Sequence, residues 1–92
     1  MKNYEIEIAK LSETFPTLKG APLQPWNADA FDAWACEQWG SGVQHAARFV
    51  LAVWAVDATW RVGRFDAMSA LAAWDEAHRK AFAQWCLSAW WR

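Results

Sequence analysis

The sequence has few cysteines, with Cys36 and Cys86 as the two present among 92 residues. Small secreted domains usually depend on several disulfides, and two cysteines do not provide such a framework. The N-terminal segment also lacks the apolar stretch of about 7–15 residues that a signal peptide contains. We therefore expect a cytoplasmic protein whose cysteines are reduced and fill core volume.

Long apolar runs are missing as well. The longest apolar stretch in the most hydrophobic segment, residues 49–56, lies between Arg48 and Asp57. A helix needs roughly 20 apolar residues to cross a bilayer. The sequence therefore predicts no association with a membrane.

The net charge is only −1. Residues 1–39 carry three lysines against six acidic residues, and residues 40–92 carry six basic residues against four acidic ones. Domains that bind nucleic acid usually have a strong basic excess, because they must neutralise several phosphates. Composition therefore argues against a nucleic-acid partner.

Metal-binding and catalytic motifs are also lacking. Metal sites in helical bundles repeat Glu-x-x-His, and zinc sites pair cysteines or histidines at short spacing. The candidate ligands do not follow either pattern, so we expect no metal, no other cofactor and no enzymatic activity. These candidates are Cys36, Glu37, His45, Asp57, Asp75, His78 and Cys86.

Tryptophan, by contrast, is abundant, with nine in the chain. The composition of 55% hydrophobic and 21% charged residues is typical of a globular protein. A division into two cores would leave each too small, so we predict a single domain over residues 1–92. Each indole adds a large apolar surface and one N–H that needs an acceptor when buried. We therefore expect a core built largely from indoles.

Hydrophobic periodicity predicts an all-α fold, a small bundle of three to four helices. The first helix is expected over residues 3–14, although residues 4–8 also alternate as a strand would. Pro16 ends this helix, and no second strand-like segment exists to pair with it. Residues 16–26 are predicted to form an extended, proline-containing connector over apolar surface.

Three further helices are predicted, over residues 28–39, 41–62 and 67–89. Asn27 and Asp66 have the side chains of helix N-caps, and Ser41 begins a capping-box pattern. Because residues 62–65 form a very short link, the third and fourth helices are expected to make an antiparallel hairpin at the centre of the bundle.

Asp75 and His78 are an acid and an imidazole three residues apart in the apolar stripe of the fourth predicted helix. Such a pair could orient an imidazole for proton transfer, as a carboxylate does in catalytic triads. It could equally be a hydrogen bond that satisfies two polar groups at a helix contact. We favour the structural role, because no nucleophile or oxyanion donor follows from the sequence.

The loop before the fourth predicted helix contains Arg61 and Arg64. Two guanidinium groups and the exposed amides of a helix N-terminus would together hold an anion or a phosphate. In the alternative, Arg61 pairs with Asp57 one helical turn earlier and Arg64 covers aromatic rings with its aliphatic stem.

The C-terminal residues Trp90 and Trp91 point about 100° apart on a helix, so both cannot face the same core. We expect that at least one meets a partner or closes over the connector at residues 22–26. Tryptophan and arginine are enriched at the energetic centres of protein interfaces.

The sequence therefore predicts a small, non-enzymatic protein-interaction module or self-associating accessory protein with an unknown protein partner. Three alternatives stay open: binding of nucleic acid or a phosphate ligand through Arg61 and Arg64, a phage or mobile-element accessory protein that blocks a host protein, and a small enzyme that uses Asp75 and His78. The predicted contact residues are Trp26, Trp39, Arg61, Arg64, Trp90 and Trp91.

Overall fold

The computed structural model describes residues 4–23, 25–55 and 57–87. Over these ranges the chain forms helices and no strand, which confirms the predicted all-α bundle. The elements are α1 (Tyr4–Glu13), a 3₁₀ turn (Pro16–Leu18), α2 (Ala28–Cys36), α3 (Ser41–Trp54), α4 (Ala67–Ala73) and α5 (Glu76–Leu87).

The N-terminal segment is the helix α1 rather than a strand. Ile8 and Leu11 lie in the core, as expected when apolar residues recur every three to four positions in a helix rather than every second position in a strand. The connector then begins with the 3₁₀ turn, in which Pro16 occupies an early position and Leu18 is fully buried. The first part of the connector is therefore turned onto the core rather than extended.

Helix α2 starts at the predicted residue but ends three residues before the predicted end. The Asn27 side chain accepts a hydrogen bond from the Ala30 amide at 3.0 Å, which confirms the N-cap. The predicted end at Trp39 is wrong, because the helix stops at Cys36. The Glu37 and Gln38 amides bond to carbonyls three residues back, at 3.1 Å each, and this tightened turn ends the helix.

Helix α3 also ends early, at Trp54 instead of Val62. Beyond Ala55, which is extended, the chain makes tertiary hydrogen bonds in place of helical ones. The amides of Arg61 and Val62 donate to the carboxylate of Asp32, and the Val62 carbonyl accepts from Arg48. Backbone groups engaged in this way cannot continue a helix.

The fourth predicted helix is broken into α4 and α5. Trp74 has an extended conformation with ψ 148°. The side chain of Asp75 then accepts a hydrogen bond from the His78 amide at 3.0 Å, as an N-cap does. The prediction of one continuous helix is wrong, because an aspartate that bonds to a nearby amide competes with the helical hydrogen bonds.

The core surrounds α3, which packs against α1, α2, α4 and the 3₁₀ turn. Phe49 is its aromatic centre, with ring centroids between 5.1 and 5.7 Å from four other rings. These neighbours come from the 3₁₀-turn region, the loop before α4, and α5: Phe15, Phe65, Phe82 and Trp85.

Phenylalanine contributes as much to this core as tryptophan does. The largest fully buried side chains are Phe15 and Phe31, whereas Trp26 and Trp74 keep a small exposed fraction. Among the described residues, Trp74 Nε1 donates to the Gly42 carbonyl at 3.0 Å, and three other buried indole N–H groups have no acceptor. An indole needs an acceptor when it is buried, and a phenyl ring does not, which favours phenylalanine at the most enclosed positions.

No helix in the described part of the chain has both the length and the apolar character needed to cross a membrane.

Candidate functional site

Asp75 and His78 are joined by two hydrogen bonds at the start of α5. Asp75 Oδ1 accepts from the His78 amide and lies 2.7 Å from His78 Nδ1. On the other side of the ring, His78 Nε2 lies 2.8 Å from the Thr17 hydroxyl. The imidazole is 4% exposed and stacks near the rings of Phe15 and Trp74.

The order carboxylate, imidazole, hydroxyl is that of a catalytic triad. Asp75, however, caps a helix, and the hydrogen bond from His78 is the main reason that its carboxyl pKa lies below the usual value. The chain of hydrogen bonds connects the 3₁₀ turn to α5 and satisfies a buried ring. These contacts agree with the structural role, and the enzyme alternative stays a prediction.

Thr17 is the member of this group that sequence reasoning missed. It lies 61 residues from His78 along the chain, and a single exposed threonine after a proline carries no signal of its own. Only the packing of the 3₁₀ turn against α5 brings the two side chains together.

Asp32 organises the loop that carries Arg61. Its buried carboxylate accepts hydrogen bonds from the amides of Arg61 and Val62, both at 2.9 Å. The Arg61 guanidinium lies 3.9 Å from the same carboxylate, so Arg61 forms an ion pair with Asp32 and not with Asp57 as the alternative supposed. Sequence reasoning did not identify Asp32 as a functional residue. Its position next to Phe31 in α2 was one indication of a buried carboxylate, since both residues lie on the buried side of that helix.

The N-terminus of α4 is occupied by the protein itself. The Asp66 carboxylate accepts hydrogen bonds from the amide and the hydroxyl of Ser69. These bonds, the hydroxyl first, lower the pKa of Asp66. A carboxylate therefore lies at the helix end where the sequence predicts an anion beside Arg61 and Arg64, and the phosphate-ligand alternative stays a prediction.

Arg64 shares a cavity with Arg48 on α3. The cavity has a volume of about 220 Å³. Arg48 is held in place by a hydrogen bond from Nε to the Val62 carbonyl at 2.7 Å. Its described lining consists of Arg48, Ala52, Ala55, Ala58, Trp60, Gly63, Arg64 and Phe65.

His45 lies beside this arginine, with Nδ1 3.5 Å from Arg48 Nη1. Burial lowers the pKa of His45 below 6.5, and the charge of Arg48 lowers it further against the opposing effect of Asp66. The folded protein therefore binds fewer protons at this ring than the unfolded chain does. As the pH falls through 6.5 towards the lower folded pKa, the free energy of unfolding is expected to decrease.

This pH dependence is open to direct measurement. We expect the ring protons of His45 to titrate with a midpoint below pH 6.5 in an NMR titration. We also expect the variant H45Q to show a weaker loss of stability than the parent protein between neutral and mildly acidic pH. A midpoint at or above 6.5 would contradict the described environment.

A second concave surface, the α1/α5 groove, lies between these two helices. Its volume is about 510 Å³. Leu87 at its edge is 87% exposed, and Lys10 lies 4.0 Å from Glu7 on the α1 side. Its described lining consists of Glu7, Lys10, Leu11, Thr14, Ala81, Gln84, Trp85 and Leu87.

The predicted contact residues fall into different environments. Trp39 is 96% exposed in the loop between α2 and α3, and Arg61 and Arg64 are also exposed. Trp26 is buried, with its ring against Phe31 and Trp54, so it serves the core rather than a surface. Trp90 and Trp91 lie outside the described residues.

The cysteines do not fill the core. Cys36 and Cys86 are free and exposed near the C-terminal ends of α2 and α5, so that prediction is wrong. In the part of the chain that the structure describes, no three His, Cys, Asp or Glu side chains form a cluster that could hold a metal ion.

Comparison with protein families, curated proteins and solved structures gives no match to this chain.

Proposed function

We propose that this protein is a small, non-enzymatic interaction module that self-associates through the α1/α5 groove. The observation that carries the proposal is the position of Leu87, a large apolar side chain that is 87% exposed at the edge of a groove. Exposed apolar surface next to a concavity is a common feature of protein contact sites.

The composition of the groove supports a second copy of the chain as its occupant. Trp85, which is partly exposed, forms the main apolar surface of the groove that a leucine from another molecule can cover, while Leu11 and Ala81 are buried beneath it with only small exposed edges. In an interface with two-fold symmetry the same residues act on both sides, so a protruding side chain and its receiving surface must lie on one face. Leu87 and the groove satisfy that requirement.

The charges at the groove fit the same arrangement. Glu7 and Lys10 lie beside each other on α1 and carry opposite signs. When a surface meets its own copy, a patch with one sign of charge repels itself, whereas a patch with both signs can pair across the two-fold axis. Trp90 and Trp91 follow Leu87 in sequence and remain predicted contact residues.

The substitution L87D tests this proposal. A carboxylate at this position would be desolvated in the interface without a partner, which is strongly unfavourable. We expect the parent protein to sediment as a dimer at micromolar concentration and L87D to sediment as a monomer with unchanged helix content.

Met68 offers a matched control, because it is 75% exposed on α4 and does not line the groove. M68D introduces the same charge and should leave the dimer intact. W39D tests the other exposed predicted contact. A parent protein that remains monomeric would refute self-association, and a dimer lost in W39D but kept in L87D would refute the groove as its site.

A further inference from the structure

We propose that the cavity between Arg48 and Arg64 is a binding site for a small organic carboxylate, a monoanion with a compact apolar body. The cavity lies beside the C-terminal half of α3 and the loop that leads to α4. It shares no lining residue with the α1/α5 groove, so this proposal does not depend on the proposed self-association.

The charge of the cavity points to an anion. The lining residues that the structure describes include two guanidinium groups and no carboxylate. Among the described residues, no carboxylate oxygen lies within ion-pair distance of Arg48 or Arg64, while Arg61 in the same loop is paired with Asp32. Two arginines that share a concave site without a counter-ion favour an anionic ligand.

Arg48 is oriented before any ligand arrives. Its Nε–H donates to the Val62 carbonyl, and that segment is itself held by Asp32 through the Val62 amide. A guanidinium has five N–H donors in a fixed plane, so the bond from Nε leaves donors on the terminal nitrogens. A planar carboxylate is the group that such a fork binds best.

Near neutral pH the positive charge of the cavity comes from its two arginines, since the neighbouring His45 and Asp66 neither add a positive charge nor place a carboxylate in the lining. Burial and the charge of Arg48 lower the pKa of His45, so this ring is neutral at pH 7. Asp66, the acid whose charge reaches His45, is engaged with Ser69 at the start of α4 and does not line the cavity.

The rest of the lining is apolar, which distinguishes an organic carboxylate from inorganic phosphate. Three alanines, Trp60 and Phe65 form most of the wall. Drug-sized ligands occupy roughly 300–1,000 Å³, so a cavity of about 220 Å³ fits a smaller molecule.

Benzoate is a suitable probe, because it joins a carboxylate to one aromatic ring. We expect saturable binding at a single site, observed by NMR titration, with a shift of the Trp60 indole signal assigned through W60F. Benzamide has nearly the same shape without the charge and should not bind measurably. Inorganic phosphate should bind more weakly than benzoate, because it gains nothing from the apolar wall.

Two substitutions in the same loop distinguish binding at this cavity from nonspecific attraction of benzoate to positive charge. R64Q removes a lining cation and should weaken benzoate binding by at least about tenfold, as expected for the loss of a charge-assisted hydrogen bond. R61Q removes the same charge outside the cavity and should leave the affinity unchanged. Thermal unfolding of both variants checks that the fold is retained.

Several results would overturn the proposal. Equal weakening in R61Q and R64Q would indicate nonspecific electrostatic attraction. Benzamide that binds as well as benzoate would show that the charge is not recognised, and phosphate that binds more tightly would show that the apolar wall contributes nothing. Absence of saturable benzoate binding would refute the site altogether, whether or not the protein self-associates.

Discussion

The substitution F49A is expected to lower the free energy of unfolding by about 3–5 kcal/mol, the usual cost of removing a buried phenyl ring. Phe49 is 3% exposed and its ring lies within 5.7 Å of four other aromatic rings, measured between centroids. Its loss leaves a cavity that the 3₁₀-turn region, the loop before α4, and α5 cannot fill without moving. Urea unfolding followed by circular dichroism measures the change.

Such a loss is a large part of the total stability of a small domain, which is about 5–15 kcal/mol. If F49A does not fold, F49L keeps the comparison measurable, because leucine retains much of the buried volume and should cost less. W39A is the matched control, since it removes an even larger ring that is almost fully exposed. Equal losses in F49A and W39A would contradict the described core.

The substitution D32A is expected to lower the free energy of unfolding by about 2–4 kcal/mol. It removes the acceptor of two backbone amides, those of Arg61 and Val62, and the Val62 bond is fully buried. A buried donor that loses its acceptor costs about 1–3 kcal/mol. The same measurement of urea unfolding gives the value.

The variants D32N and D29N provide a matched pair within α2. Asparagine at position 32 keeps one acceptor oxygen, so D32N should lie between the parent and D32A. Asp29 is exposed in the first turn, where its charge contributes less than about 1 kcal/mol through the helix dipole. If D29N were as destabilising as D32N, the special role of Asp32 would be refuted.

The Asp32 interaction also explains why the predicted site differs from the observed one. Arg61 and Arg64 were predicted to act together, because they are three residues apart in one loop. Asp32 draws Arg61 to itself, and Arg64 is left beside Arg48 on α3. A carboxylate about 30 residues away therefore decides which arginines share a cavity.

The break at Trp74 is a case in which local signals supported either outcome. Apolar residues recur at helical spacing on both sides of it, so periodicity predicts one helix. Asp75 is equally suited to cap a new helix, and its bonds to His78 lie within one turn. The break also allows the Trp74 and His78 rings to be buried together against Phe15, which adds to the effect of the Asp75 cap.

The sequence by itself determined the all-α class, the helical first segment and the central place of α3, because these follow from hydrophobic periodicity along each segment. It also determined the caps at Asn27 and Asp66, because a capping bond forms within one helical turn. Tertiary structure alone decided where α3 ends, how the Thr17 hydroxyl joins His78, and which arginines line the cavity. These features depend on hydrogen bonds between residues as many as 61 positions apart. Such partners become neighbours only after the helices have packed, so no local pattern records them.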